Sequence, residues 1–113
     1  MLTVQALQDF GADTQEGLTR CMNNESFYLT MVGMLRQDTS MASLTAALQA
    51  QDWSAAFEAA HALKGVLANL AITPVLTPVS ALTEALRPRQ PVEYTALLQE
   101  AQTQWSKLEA LLA

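Results

Sequence analysis

The sequence predicts an all-α protein: an antiparallel four-helix bundle with short additional N-terminal helices, forming one domain over residues 1–113. Three observations carry that expectation. Leu and Ala fill 37 of the 113 positions, eighteen and nineteen respectively. Both are strong helix formers, whereas the β-branched residues are scattered singly. No strict alternation of apolar and polar residues lasts long enough to make a half-buried strand. Caps and breakers then cut the chain into helix-sized pieces with short connections, which set sequential helices side by side and antiparallel.

Thr3 caps a short first helix that stops near Phe10-Gly11, with Gly11 as the C-terminal glycine. Asp13 followed by Glu16 resembles a capping box and opens a second short helix, through Met22. Asn23 and Asn24 interrupt, and Asn24 caps a third helix over Glu25 to Gln37. Asp38-Thr39-Ser40 opens a fourth that runs to Gln51, and Asp52 caps a fifth that continues to Ala71. Thr73-Pro74 and Thr77-Pro78 are successive cap-plus-proline signals, so the sixth helix starts at one of them and ends near Arg87. Pro78 disfavours the earlier start unless the helix is kinked. Arg87 to Pro91 reads as a loop. The last helix runs from Pro91 almost to the end, with Tyr94, Leu97, Leu98, Ala101, Trp105, Leu108 and Leu112 as its buried stripe.

Composition narrows the function. The formal net charge is −5 and only 15% of residues are charged. So acidic a surface repels phosphate backbones and anionic lipid, which argues against nucleic acid and membrane as partners. With half the residues apolar, the chain is not a disordered one. No apolar run approaches the roughly 20 residues a bilayer span requires, and no basic-then-apolar segment at the start reads as an export signal. Cys21 stands alone, which excludes an internal disulfide and a cysteine-rich zinc site and points to a reducing cytoplasm. With one histidine and acidic residues at no metal-ligand spacing, a metal or haem of the chain's own is not expected.

That single histidine can be placed on its helix. At ~100° per residue with His61 at zero, Leu70, Leu63 and Ala59 fall within ~20° of the opposite side. Val66 and Ala56 flank that core stripe, and His61 stands at the solvent pole. Around His61, within ~60°, come Ser54, Phe57, Glu58, Lys64, Gly65, Ala68 and Ile72. Gly65 lies one turn beyond His61 in mid-helix, where Gly costs about 1 kcal/mol relative to Ala. In a chain with nineteen alanines that cost implies a use. The missing Cβ leaves a flat spot where another backbone or a phosphoryl group can approach. Lys64 places an ammonium on the same face, within reach of an anion on the imidazole. An imidazole in water is mostly neutral at pH 7 and free to act as a nucleophile.

Ala60-His61-Ala62-Leu63-Lys64-Gly65, continued by Ala68-Asn69-Leu70, resembles the signature helix of the histidine-containing phosphotransfer (HPt) domains of bacterial multistep phosphorelays. That pattern reads A-H-x-L-K-G, then a small residue and N-[LI]-G. Asp52-Trp53 is similar to the family's usual helix start, and Gly17-Leu18 through Tyr28 to the region before its long hairpin. Ala71 departs from the pattern, standing where the family has Gly, and Thr73 to Pro78 is richer in proline than usual. The resemblance implies that His61 is the phosphoacceptor, that Lys64 neutralises the phosphoryl oxygens, and that Gly65 gives clearance to the partner's loops. It implies a phosphocarrier without kinase activity. The phosphoryl group would come from a receiver-domain aspartate, the partners being response-regulator receiver domains and a hybrid sensor histidine kinase. The magnesium ion would belong to the receiver.

Each singled-out residue also has a plainer reading. A surface lysine is ordinarily just solvated, so Lys64 matters only through sharing a face with His61. Asn69 reads first as a structural residue bonding to a neighbouring helix or carbonyl. Phe57 reads first as tucked under the adjacent helix and second as part of the docking rim with Ser54, Ala68 and Ile72. The third helix is apolar nearly all round. Phe27, Val32 and Leu35 read as buried, while Met31 and Met34 divide evenly between core and partner-binding patch. Trp53 and Trp105 read as core anchors. The alternative function is a non-catalytic helical module that binds or sequesters a receiver without phosphate transfer; a third is a structural bundle whose signature is accidental. A Met-initiated chain of this length suggests a free-standing shuttle, and one exposed histidine suits a monomer.

Overall fold

The computed structural model describes residues 2–113. Seven α-helices follow one another: α1 (Val4–Phe10), α2 (Thr14–Arg20), α3 (Glu25–Gly33), α4 (Ser40–Gln49), α5 (Trp53–Leu70), α6 (Thr73–Leu86) and α7 (Thr95–Leu112). A 3₁₀ turn, Met34–Gln37, separates α3 from α4, and no strand occurs among the described residues. Four side-chain caps set the starts as the sequence indicates. Thr3 accepts from the Ala6 N–H at 3.0 Å, Asp13 from Glu16 at 3.2 Å, Asn24 from Phe27 at 3.0 Å and Asp52 from Ala55 at 3.1 Å. Each satisfies an N–H that the first helical turn leaves without a partner. Gly11, at φ 111°, closes α1 in a conformation that an L side chain resists.

The four long helices α4 to α7 form the bundle, each packing on the next. The ring closes where Gln102 of α7 donates to Thr45 Oγ1 of α4 at 3.1 Å and the Tyr94 hydroxyl donates to the Leu48 carbonyl at 3.4 Å. Leu44, Leu48, Leu63, Leu67, Leu82, Leu86 and Leu108 are fully enclosed between them. The short helices dress this bundle: α1 lies on α7, and α2 and α3 lie on α5. Gly17 is what lets α2 and α3 meet, since a Cβ there would come within 2.5 Å of the Tyr28 ring. Tyr28, fully buried, donates its hydroxyl to the Leu70 carbonyl at 3.0 Å and so pins α3 to the end of α5. Burial, aided by Cys21 and Asp13, pushes that hydroxyl up to about 12.

Several boundaries differ from the sequence expectation for identifiable reasons. The second helix ends at Arg20 rather than Met22, because Met22 and Asn23 turn left-handed. The third is not continuous to Gln37 but tightens into the 3₁₀ turn after Gly33, and the fourth stops at Gln49 before left-handed Gln51. The sixth takes the earlier start at Thr73 and carries Pro78 inside it. The cost is the hydrogen bond that Pro78 cannot donate back to Pro74. The seventh begins at Thr95, not Pro91: the Glu93 carboxylate takes the Thr95 N–H at 2.7 Å, which fixes the helix start there. That bond also lowers the Glu93 pKa. Tyr94 therefore belongs to the connection, where its ring meets Trp53 edge-on at 6.2 Å. Trp53 is half-buried and packs against the core from the end of the bundle, whereas Trp105 is within it.

Candidate functional site

His61 is the ninth of the eighteen residues of α5, at mid-helix, and its side chain is exposed. The buried residues of α5 are Ala56, Phe57, Ala60, Leu63, Leu67 and Leu70. On the same wheel they centre ~125° from His61, on the side of Lys64. The helix is thus rolled by roughly a sixth of a turn from the orientation expected of it. His61 occupies the shoulder of the exposed face rather than its pole. The roll also corrects Val66, which is 36% exposed instead of flanking the core.

The two sides of that shoulder differ in chemistry. On one side lies a charged cluster. Phe57 is buried, and its ring lies nearly parallel to the imidazole, with centroids 5.6 Å apart and planes at 15°. The guanidinium carbons of Arg87 and Arg89 stand 5.4 and 4.5 Å from the Phe57 ring centroid, within cation–π range. Arg89 also pairs with Glu58 of α5. Lys64, with its side chain 32% exposed, points its ammonium at Glu84 of α6, 3.4 Å from Oε1. Arg87 takes both oxygens of the same carboxylate, at 2.9 and 3.1 Å. The bonds from Arg87, and secondarily Lys64, hold the Glu84 carboxyl down to about 2, and Glu84 in turn raises Arg87. Three of the chain's six basic residues are gathered on this flank.

On the other side the wall is hollow and apolar. A concavity of about 660 Å³ opens between α5 and the α3–3₁₀ segment, lined among others by Gly65, Val66, Asn69, Met31, Met34 and Leu35. A Cβ added at Gly65 would meet nothing within 4 Å, so the glycine opens onto free space. Met34 is 55% exposed and Met31 half-buried. Phe27, expected in the core, is 42% exposed one helix over. Asn69 is exposed and makes no side-chain hydrogen bond with the described residues, so the structural role expected for it is absent. Among the described residues no three His, Cys, Asp or Glu side chains come together as metal ligands.

A family model for the Hpt domain matches residues 31–113, well over half the chain. The chain belongs to the Hpt domain family. Domains of this family perform histidine phosphotransfer in two-component phosphorelays and interact with receiver domains and kinases. No match to the chain was found among curated proteins or among solved structures. The Hpt match spans all four bundle helices and the hollow's Met31 and Met34. No helix among the described residues is long and apolar enough to cross a membrane.

Of the residues expected at an Hpt docking face, His61, Gly65 and Ser54 are exposed, and Lys64 and Ala68 are partly so. Ile72 is not on that face: it is fully buried. The expectation extended the α5 wheel past the helix end. Ala71, at φ 57°, turns the chain left-handed despite not being glycine. The Ala71 N–H then bonds the Ala68 carbonyl at 3.2 Å and Ile72 bonds Leu67 at 3.0 Å. This pairing closes a Schellman motif and turns Ile72 inward beside Leu67. Phe57 takes the first of its two expected readings: it is buried, not on the rim, and supports the imidazole from beneath. Glu84, Arg87 and Arg89 were missed altogether. Glu84 and Arg87 are an i,i+3 pair readable from spacing, but their meeting with Lys64 depends on how α5 and α6 pack.

Proposed function

We propose that this Hpt domain carries a phosphoryl group on His61 between receiver domains, as a phosphocarrier with no kinase activity of its own. The observation that carries the reading is an exposed imidazole at mid-helix with a lysine on one side and an open glycine notch on the other. A ring-nitrogen lone pair of neutral His61 attacks the phosphorus of a receiver's aspartyl phosphate. The N–P bond forms as the P–O bond breaks, and the aspartate leaves as carboxylate with that electron pair. The proton on the other ring nitrogen passes to water. The reverse exchange delivers the group to a second receiver. Phe57 holds the imidazole by its flat contact and Lys64 supplies positive charge to the phosphoryl oxygens. Gly65 keeps clear the space that the receiver's loops enter. Positioning and charge neutralisation are what in-line phosphoryl transfer requires; the receiver brings its own magnesium.

The hollow beside Gly65 is the receiver's landing surface in this reading. Met31 and Met34 offer adaptable apolar contact, with Ser54 and Ala68 along the same helix as His61. The test is transfer through the chain. A phosphorylated receiver is mixed with the domain and then with a second receiver. Acid-labile, base-stable label should appear on the domain, pass onward, and be absent with His61→Gln. Binding without label would instead support a docking module.

A further inference from the structure

The ammonium assigned above to the phosphoryl group is already occupied. Lys64 rests 3.4 Å from Glu84 Oε1, a long contact, while Arg87 engages Oε1 and Oε2 of the same carboxylate at 2.9 and 3.1 Å. Two cations therefore share one carboxylate, and Lys64 has the weaker share. A bidentate guanidinium is the stronger and more directional partner of a carboxylate. An anion arriving on His61 competes with Glu84 for the more loosely held cation, Lys64. Glu84 stays neutralised by Arg87 when Lys64 leaves.

We propose that Glu84 and Arg87 set the availability of Lys64: Glu84 holds the ammonium in the unphosphorylated chain, and Arg87, by occupying both carboxylate oxygens, keeps that hold loose enough for Lys64 to move to a phosphoryl group on His61. The inference rests on the reading of His61 as phosphoacceptor. Glu84 and Arg87 are positioning residues here, acting through Lys64. Arg89 is committed elsewhere, to Glu58 and the Phe57 ring. Without Arg87, Glu84 would present an unshared negative charge to both Lys64 and the incoming phosphate.

Phosphoramidate, which needs no partner protein, serves as the donor. The imidazole nitrogen attacks phosphorus and an N–P bond forms. The donor reacts with its nitrogen protonated, so neutral ammonia departs with the electrons of the old P–N bond, and the other ring nitrogen releases its proton to water. The initial rate of phosphohistidine formation is followed in the unmodified chain, Glu84→Gln, Arg87→Gln and the double variant. Glu84→Gln should raise the rate about two- to fivefold, the span of exposed ion pairs. Arg87→Gln should lower it by a similar factor. In the double variant the Arg87 effect should vanish, and with Lys64→Met the Glu84→Gln gain should vanish too. A Glu84→Gln rate at or below the unmodified one overturns the proposal. So does an Arg87 effect that persists without Glu84, which would make Arg87 a direct contributor of charge. No phosphohistidine on the unmodified chain would instead overturn the His61 reading beneath it, a distinct result.

Discussion

Gly65 sits in mid-helix with nothing within 4 Å of where its Cβ would be. Gly65→Ala should therefore stabilise the fold, by about 0.5–1 kcal/mol, through lower backbone entropy of the unfolded chain. If the notch serves a partner, the same change slows transfer from a receiver several-fold. Urea unfolding and transfer rates on one variant read both signs, and a gain in stability with unchanged transfer removes the notch from the mechanism. The shared outer placement of His61, Lys64 and Gly65 was legible because they lie on one helix, where spacing alone fixes relative direction. Ile72 was not, because a left-handed Ala71 breaks the helical phase one residue earlier. The exposure of Val66 was not legible either, because it depends on the roll of α5, which only its packing partners determine.

Tyr28 links two elements through one hydrogen bond to the Leu70 carbonyl. Tyr28→Phe should cost about 1 kcal/mol at pH 7, the net worth of such a bond plus some penalty for the orphaned carbonyl. The pH dependence has a definite sign. The Tyr28 hydroxyl is raised from an ordinary 10 to about 12 in the fold. The stability this represents is intact below pH 10 and is lost as pH rises from 10 through 12. The stability gap between the unmodified chain and the Tyr28→Phe variant should therefore narrow at high pH in denaturant melts. A gap that widens would place the hydroxyl outside the buried position described. At this scale the helix starts were legible in Thr3, Asp13, Asn24 and Asp52, whose side-chain caps need only local sequence. The α6 start and the Glu93 cap of α7 were harder. Pro78 and Pro91 are strong local signals that tertiary packing and one carboxylate override.

Across the molecule, a chain of net charge −5 concentrates three of its six basic residues on one flank of α5 and leaves an apolar hollow on the other. The bundle, 41 Å long and about half as wide, presents that asymmetric wall on its side rather than at an end. All-α class and bundle architecture were legible from Leu, Ala and the breakers. The two-sided wall was not, since it joins residues from α3, the 3₁₀ turn, α5, α6 and the loop after α6. Met34 is more than half exposed in the hollow. Met34→Glu should leave stability within about 0.5 kcal/mol, as surface changes generally do. It should raise by about tenfold the receiver concentration needed for half-maximal transfer, a loss of roughly 1.4 kcal/mol of docking free energy. A titration with unchanged midpoint would move the landing surface elsewhere.

In the proposed function the exposed imidazole of α5 takes the phosphoryl group. Phosphorus-31 NMR of the intact chain after incubation with phosphoramidate reads this without any partner. A single phosphohistidine resonance that is absent from His61→Gln is the result expected. Protein-bound phosphoramidate phosphorus that survives in that variant, on a side chain other than the chain's one histidine, or no resonance from the unmodified chain, contradicts it.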